Sequence, residues 1–294
     1  MELVFSPLDG PFGMEVEGID LSMEISANTT QTLKKALITH QVLLFRNQKL
    51  TDTRLREVAS KFGRVRDLPG GFIGEEKICG VRHLTNLGPD NKPTGVHPEK
   101  WSKIWHTDGG FSQPPAKATL LYSIRSAREG GATQFSDMYG GLDAFTASER
   151  CKLENLDAIH DQDLARVFRH GRAVIENSTL SWWQRLKRWR RFLVRMCSHG
   201  VTIHPLVYFC EESGRSAIIL GSDVWRIRGM NWRRGMRAVE ELTQRAVREE
   251  VTLTYIAQPG DVMLWDNRSL LHRVTDYDAA KYVRVMRQVV ILPS

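Results

Sequence analysis

Apolar and polar residues alternate in many short runs along this chain, while a few longer stretches repeat apolar residues three or four positions apart. A period of two is typical of strands that bury one face, and the longer spacing is typical of an amphipathic helix. The pattern predicts strands at residues 13–21, 41–46, 118–124, 130–135, 202–207, 216–221, 262–266 and 282–292. It predicts helices at residues 29–40, 51–62, 141–156 and 237–250. Thr51 or Asp52 is the predicted cap of the second helix.

Many separated strands with helices on one flank favour a mainly β fold, with a double-sheet β-barrel or jelly roll at its core and peripheral helices. Residues 67–103 are rich in Gly and Pro and have few periodic runs, so we predict loops there, near the mouth of a site. With 294 residues, 41% of them hydrophobic, the chain can bury a substantial core. The length allows one large or two small domains, and we expect a single domain over residues 1–294.

The four cysteines, Cys79, Cys151, Cys197 and Cys210, lie far apart and form no Cys-x-x-Cys pair. This spacing indicates neither a zinc site nor a redox pair, and it predicts free thiols in a reducing compartment. The first residues lack a basic region followed by a long apolar stretch, and no apolar run approaches the ~18 residues of a membrane span. We therefore expect a cytoplasmic protein with no membrane partner.

Positive charge is concentrated in residues 182–196, within a chain that carries a net charge of +7. This stretch contains six Lys and Arg residues and no acid. Trp182, Leu186, Trp189 and Leu193 recur at helical spacing, which predicts one apolar stripe opposite a cationic face. We predict a lid over the pocket at about residues 170–200, or a docking surface there; a solvated surface helix that packs its Trp residues on the core is an equal alternative. Because the stripe is not an exposed stacking platform, we expect no nucleic-acid partner.

A His-x-Asp pair is the most informative chemical signal in the chain. His106 and Asp108 are followed by Gly109 and Gly110, a setting that predicts a strand end opening into a tight turn beside a cavity. His272 lies far downstream, after the run Trp265-Asp266-Asn267. Two neutral imidazoles and one carboxylate on one face leave neighbouring positions open, which is the arrangement of Fe(II) oxygenases. The pair alone is common, and it needs the third ligand to carry this interpretation.

An acidic co-substrate would also need an anchor. Arg284 lies on the terminal strand, twelve residues after His272, and a guanidinium matches a carboxylate with two parallel hydrogen bonds. The hydroxyl of Thr133 is a candidate second donor to the same carboxylate. The alternatives are a surface ion pair for Arg284 and an ordinary strand position for Thr133.

These residues carry a resemblance that covers nearly the whole chain. The matching segments are residues 13–21, 42–48, 62–63, 105–108, 130–133, 204–207, 213–215, 260–267, 272 and 284–287. In this ordered set the sequence resembles the taurine dioxygenase family of Fe(II)- and 2-oxoglutarate-dependent dioxygenases. The resemblance implies a double-stranded β-helix, the jelly roll that strand spacing only suggests.

Residue by residue, the resemblance implies that His106, Asp108 and His272 are the iron ligands and the catalytic centre. It also implies that Thr133 and Arg284 hold the distal carboxylate of 2-oxoglutarate. The cofactor is then Fe(II), with 2-oxoglutarate and O2 as co-substrates and succinate and CO2 as products. We expect hydroxylation of an aliphatic carbon in a small organic molecule.

Other outcomes stay open at this stage. The same cofactors support desaturation, cyclisation or oxidative decarboxylation, and a non-catalytic binding protein on the same fold is a distant alternative. Related halogenating enzymes lack the carboxylate ligand, so Asp108 argues against halogenation.

The chain departs from the family pattern at positions that contact the substrate in other members. Members that oxidise sulfonates carry a second arginine four residues after the co-substrate arginine, and here that position is Gln288. Strand alternation puts Gln288 on the face of Arg284 and turns Arg287 the other way. We therefore do not expect taurine as the substrate, and Gln288 is a candidate substrate contact. The loop at residues 67–97 also lacks the family's substrate-binding histidine and tyrosine.

The lid composition suggests a larger or more anionic substrate, such as a natural-product intermediate or a carrier-tethered molecule. His204 precedes Pro205 on a predicted strand and is expected to pack structurally, and His160, His170 and His199 have no metal-ligand spacing. A homo-oligomer is compatible with the sequence, which does not specify the oligomeric state.

Overall fold

The computed structural model describes residues 2–67, 78–98, 100–161, 164–165, 181–183 and 202–294. The strands there are β1 Val4–Pro7, β2 Met14–Glu17, β3 Val42–Phe45, β4 Arg64–Val65, β5 Arg82–Thr85, β6 Ala118–Arg125, β7 Thr133–Asp137, β8 Asp157–His160, β9 Thr202–Pro205, β10 Val207–Cys210, β11 Arg215–Ile218, β12 Val224–Ile227, β13 Thr252–Tyr255, β14 Val262–Asp266, β15 Leu270–Val274 and β16 Val285–Leu292. The α-helices are α1 Ala27–His40, α2 Asp52–Ser60, α3 Met138–Leu142, α4 Ala147–Glu154 and α5 Trp232–Ala246. Short 3-10 turns span Lys100–Lys103 and Glu249–Val251.

Two sheets form the core of the molecule. The large sheet has the strand order β1-β2-β3-β14-β6-β16-β4, with β5 paired to β16, and its pairs are antiparallel except for β2 with β3. The small sheet has the antiparallel order β13-β7-β15. Leu121 and Met263 of the large sheet pack with Phe135 of the small sheet in one hydrophobic cluster. The predicted mainly β fold with a jelly-roll core and flanking helices is confirmed.

The central strands of the large sheet are buried on both faces. In β14, Met263 and Trp265 point toward the small sheet, while Val262 and Leu264 point toward helices α1 and α2. A strand of this kind reads as a continuous apolar run because neither face meets water. Helices α1 and α2 cover the outer face with the buried side chains of Leu33, Leu37, Leu55 and Val58.

Capping explains where the helices begin. The Thr51 side chain accepts a hydrogen bond from the backbone of Arg54, which confirms Thr51 as the cap of α2. The single helix predicted at residues 141–156 is instead two helices, because Thr146 and Glu149 form a capping box that starts α4. Helix α5 begins earlier than predicted, since Asn231 caps it.

Several strand predictions also needed correction. The strand predicted at residues 13–21 ends at Glu17, and the one at residues 282–292 begins at Val285. The predicted loop at residues 67–103 contains β5 and a 3-10 turn within its described part. Strands β1, β4, β8, β12, β13 and β15 were not predicted.

A second cluster packs beside the jelly roll. Helix α5 lies on β12 and buries Val239 against Ile227, next to the hairpin of β10 and β11. In the described part of the chain, no helix has the length and apolarity to cross a bilayer. Cys79, Cys151 and Cys210 are free thiols, as predicted, while Cys197 lies outside the described residues.

The double-faced burial of β14 predicts a large stability effect. We expect Leu264→Ala to lower the free energy of unfolding by about 2–5 kcal/mol, because it leaves a cavity in the centre of the sheet. The matched control is Ile256→Ala, since Ile256 is 52% exposed, and it should change the free energy by less than about 0.5 kcal/mol. Urea unfolding measures both. Equal losses in the two variants would contradict the burial of Leu264.

Candidate active site

A backbone bridge brings the two predicted histidines together. His106 donates its N–H to the carbonyl of His272 at 3.0 Å, and His272 donates its own N–H to the carbonyl of His106 at 2.8 Å. Through this bridge, His106 of the His-Thr-Asp segment pairs with His272 of strand β15 as two residues of neighbouring strands do. The imidazole rings lie next to each other as a result, with centroids 4.2 Å apart.

Asp108 completes a compact group of three side chains. One ligand atom from each of His106, Asp108 and His272 lies within 4.8 Å of the other two. His272 Nε2 is 3.7 Å from Asp108 Oδ2. His272 is buried, while His106 and Asp108 are half-buried. The structure therefore brings together all three residues that the sequence predicts as ligands.

The hydrogen bonding of His106 and the burial of His272 suit a metal ion. Nδ1 of His106 is 2.7 Å from the carbonyl of Ile104 and must donate to it, because a carbonyl only accepts. In a neutral ring with this hydrogen bond, the lone pair is on Nε2 of His106. Burial, together with the neighbouring His106, holds the pKa of His272 well below its ordinary value, so that ring is neutral. Two neutral imidazoles and a carboxylate form a donor set that fits Fe(II).

A cavity joins the two histidines of this group to the other predicted site residues. His106 and His272 line one part of its wall, and Thr133, Arg284 and Gln288 line another. Thr133 and Arg284 are buried, so Arg284 is not the surface arginine of the alternative interpretation. The remaining wall is largely apolar, with Leu84, Pro98, Leu121, Trp265 and Val274. Sequence reasoning missed its polar members His97 and Ser102.

Asn86 holds the chain segment that carries Arg284. Its side-chain Nδ2 donates to the carbonyls of Ala279 and Tyr282, at 2.9 and 2.8 Å. Its Oδ1 accepts the backbone N–H of Arg284 at 2.7 Å. Asn86 is buried, and its side chain supplies the hydrogen bonds that strand pairing would otherwise provide to the backbone of the loop before β16. No pattern in the sequence identified this residue, because its role depends on a loop nearly two hundred positions away.

Gln288 and Thr119 hold the carboxylate of Asp108. Gln288 Nε2 donates to Asp108 Oδ2 at 2.9 Å, and Thr119 Oγ1 donates to the same oxygen at 2.8 Å. Arg287 faces the opposite side of β16, where its Nε donates to Asp52 Oδ1 of α2 at 3.1 Å and His83 also contacts Asp52. This geometry confirms the prediction that Arg287 cannot replace an arginine at position 288.

The remaining histidines and the lid have different outcomes. Among the described residues, His160 and His204 do not join the metal-ligand group, and they lie edge to face with ring centroids 4.9 Å apart. His204 Nε2 lies 3.3 Å from the carbonyl of Ser112, in keeping with the expected structural role. The predicted lid, together with His170 and His199, lies outside the described residues apart from 181–183. There Trp182 and Trp183 are exposed and stacked, with centroids 3.8 Å apart.

A jelly roll with two histidines and one aspartate at a cavity is the architecture of a non-haem iron oxygenase. The sequence model described as "Taurine catabolism dioxygenase TauD, TfdA family" matches residues 5–290. The chain therefore belongs to the TauD, TfdA family. It is an Fe(II)- and 2-oxoglutarate-dependent dioxygenase, an oxidoreductase that uses O2 to oxidise a small organic molecule.

Individual relatives agree with this assignment. The alpha-ketoglutarate-dependent 2,4-dichlorophenoxyacetate dioxygenase of Cupriavidus pinatubonensis is 27% identical over 289 residues, which cover 95% of this chain and 94% of that protein. Pentalenolactone F synthase of Streptomyces arenae is 26% identical over 306 residues, covering 97% and 94%. The crystal structure of AAD-2 in complex with Mn(II) and N-oxalylglycine matches the fold with a TM-score of 0.80 at 23% identity, covering 100% of this chain and 98% of that one.

The buried His160 predicts a dependence of stability on pH. Burial, and then the nearby His204, lower its pKa from 6.5 to about 3, and neither ring nitrogen has a hydrogen-bond partner among the described residues. Below pH ~6.5 His160 is protonated in the unfolded chain but stays neutral in the folded chain. The free energy of unfolding therefore falls by about 2 kcal/mol between pH 7 and pH 5.

Urea unfolding of wild type and His160→Leu at both pH values measures this difference. We expect the variant to lose about 2 kcal/mol less than wild type on acidification. If wild type gained stability at pH 5 relative to His160→Leu, the imidazole would be charged and paired in the folded protein, and the prediction would be wrong.

Proposed function

We propose that His106, Asp108 and His272 bind the Fe(II) ion and form the catalytic centre. The observation that carries this proposal is the close approach of their ligand atoms, within 4.8 Å of one another, with His106 and His272 at the wall of a cavity. The neutral state of His272 supports it further, because a protonated imidazole has no lone pair for a metal.

Thr133 and Arg284 bind 2-oxoglutarate in this proposal. Both line the same cavity as the two histidines, and Arg284 offers a planar fork of donors in a buried setting. On the small sheet, Thr133 pairs with Val274 and Phe135 pairs with His272, so the hydroxyl lies close to the metal ligands. When bound, Fe(II) and 2-oxoglutarate supply the oxidation with O2, while these side chains orient the co-substrate and keep its carboxylate out of water.

The reaction we propose is hydroxylation of an aliphatic carbon, with release of succinate and CO2. Asp108 supports oxygenation over halogenation, because its carboxylate occupies the position that a halide would need. Desaturation, cyclisation and oxidative decarboxylation use the same cofactors and are the alternative outcomes.

The substrate we propose presents a hydrogen-bond donor to Gln288. Its Nε2 already donates to Asp108, and a carboxylate only accepts, so the orientation of the amide is determined. Oε1, which is buried and without a partner, is the atom left for a ligand. A sulfonate only accepts hydrogen bonds and gains nothing from an amide oxygen.

The basic residues between positions 185 and 195 support a second feature, an anionic or carrier-tethered part of the substrate outside the cavity. A natural-product intermediate fits these requirements, and pentalenolactone F synthase is a relative whose name indicates such chemistry. We further propose one domain over residues 1–294 with a lid at about 170–200, in line with the family match over 5–290. A homo-oligomer and a cytoplasmic location stay predictions.

The iron-site proposal predicts an optical signal. Anaerobic addition of Fe(II) and then 2-oxoglutarate to the apo-protein should produce a visible metal-to-ligand charge-transfer band. Asp108→Ala should abolish or shift this band, because it removes the one carboxylate of the proposed ligand set. Asp143→Ala, at a solvent-exposed carboxylate on the protein surface, is the control and should keep the band. An unchanged band in Asp108→Ala would refute the assignment.

The role of Gln288 predicts that taurine is not oxidised. Addition of taurine should leave succinate formation at the uncoupled background, since Gln288 offers an amide oxygen, an acceptor, at the position where the sulfonate of taurine would need a donor. The measurement is succinate released per minute with and without taurine. Taurine-stimulated release would contradict the proposal, and its persistence in Arg287→Gln would show that Arg287 is not the missing donor.

A further inference from the structure

A chain of hydrogen bonds runs from the core of the jelly roll to the metal site. Trp265 Nε1 donates to Asn267 Oδ1 at 2.9 Å, and Asn267 Nδ2 donates to Thr119 Oγ1 at 2.9 Å. Thr119 Oγ1 then donates to Asp108 Oδ2 at 2.8 Å. We call these four residues, Trp265, Asn267, Thr119 and Asp108, the Trp265–Asp108 chain.

Chemistry fixes the direction of every bond in the Trp265–Asp108 chain. An indole N–H only donates, so the amide of Asn267 must present its oxygen to Trp265 and its NH2 to Thr119. A carboxylate only accepts, so the single hydroxyl proton of Thr119 must go to Asp108. Each group is therefore left with one possible orientation, and neither Asn267 nor Thr119 can turn without breaking two bonds.

The first three residues of the Trp265–Asp108 chain are buried away from water. Trp265, Asn267 and Thr119 are all buried, and Trp265 lies directly opposite Thr119 in the pairing of β14 with β6. Asn267 also holds the metal-site loop through its backbone, because its carbonyl accepts the hydroxyl of Thr107 at 2.8 Å and its N–H donates to Lys117. Without water to replace a lost partner, each bond is costly to break.

Trp265 contacts the other side of the metal site as well. The centroid of its ring lies 4.9 Å from that of His272 and 5.3 Å from that of Phe135. One residue thus packs against one proposed ligand and begins the hydrogen bonds that end on another. Gln288 adds the second donor to the same oxygen of Asp108.

We infer that Trp265, Asn267 and Thr119 are positioning residues that hold the Asp108 carboxylate in its metal-binding orientation before a metal ion arrives. The inference rests on the proposed iron site. Outer partners of metal ligands typically contribute a factor of about 10–100 in metal affinity. An unrestrained carboxylate would have to lose its rotational freedom on binding, and the chain removes that cost in advance.

Metal binding by the apo-protein tests this inference without turnover. Co(II) is added to apo-protein and its visible absorption gives a dissociation constant. Thr119→Val keeps the shape of the side chain and removes the hydroxyl, and it should weaken Co(II) binding about 10–100-fold. Thr119→Ser restores the hydroxyl and should bind within a few-fold of wild type.

The same strand provides the matched control. Tyr122 is on β6, and its hydroxyl donates to the carbonyl of Gln48 at 3.2 Å, away from the cavity. Tyr122→Phe removes a hydrogen bond from this strand and should leave the Co(II) affinity unchanged. If Tyr122→Phe weakened binding as much as Thr119→Val, general loosening of β6 would explain the effect and overturn the inference.

Trp265→Phe tests the far end of the chain. It keeps an aromatic ring beside His272 and removes the N–H, so it should weaken Co(II) binding less than Thr119→Val. Because Trp265 acts on Asp108 through Thr119, adding Trp265→Phe to Thr119→Val should cause no further loss beyond its effect on His272 packing. Fully additive losses would contradict a connected chain.

The outcomes separate the two proposals. If wild type fails to bind Co(II), or Asp108→Ala binds it equally well, the proposed iron site is wrong. If wild type binds Co(II) and Asp108→Ala does not, but Thr119→Val binds like wild type, only the positioning chain is wrong. Should Thr119→Val fail to fold, Thr119→Ala removes the same donor to Asp108 Oδ2, and unchanged affinity in that variant would likewise overturn the inference.

Discussion

Two backbone hydrogen bonds between His106 and His272 determine what the rest of the site can do. They place side chains from distant parts of the chain side by side, with ring centroids 4.2 Å apart. Side chains alone could not hold this geometry in the absence of a metal, since two imidazoles do not attract each other strongly. The backbone pairing provides it through the same geometry that builds the sheets, so the site is an extension of strand β15.

Burial on both faces of the central strands also holds the site in its geometry. Strand β14 packs against helices on one side and against the small sheet on the other, which leaves its residues little freedom. Trp265 occupies the cavity side of this strand, next to His272. The rigidity of the metal site therefore comes from the core, while the cavity wall around Leu84 and Pro98 comes from the loops and edge strand.

Much of this architecture could be predicted from the sequence. The apolar runs of β3, β6 and β14 predict buried strands, and the proposed ligand residues are found from the His-x-Asp spacing together with the family resemblance. The capping box of Thr146 and Glu149 is also visible in the sequence as Thr-x-x-Glu, a pattern that indicates the start of a helix. The prediction of one long helix overlooked it.

The supporting residues could not be predicted. Thr119 matters because it lies opposite Trp265, and Asn86 because it reaches the carbonyls before Arg284. Both roles depend on strand register and loop closure, which are tertiary facts. A threonine in a strand or an asparagine in a loop has no periodicity that distinguishes it from its neighbours.

The orientation of Gln288 has a consequence for how this enzyme could evolve. One end of the amide holds a proposed metal ligand, and the other is the proposed substrate contact. A substitution here would change the metal site and substrate selectivity together, so the position resists gradual adaptation. New substrate preferences are more accessible through the loop residues of the wall, where selection can act on shape without a penalty in metal binding.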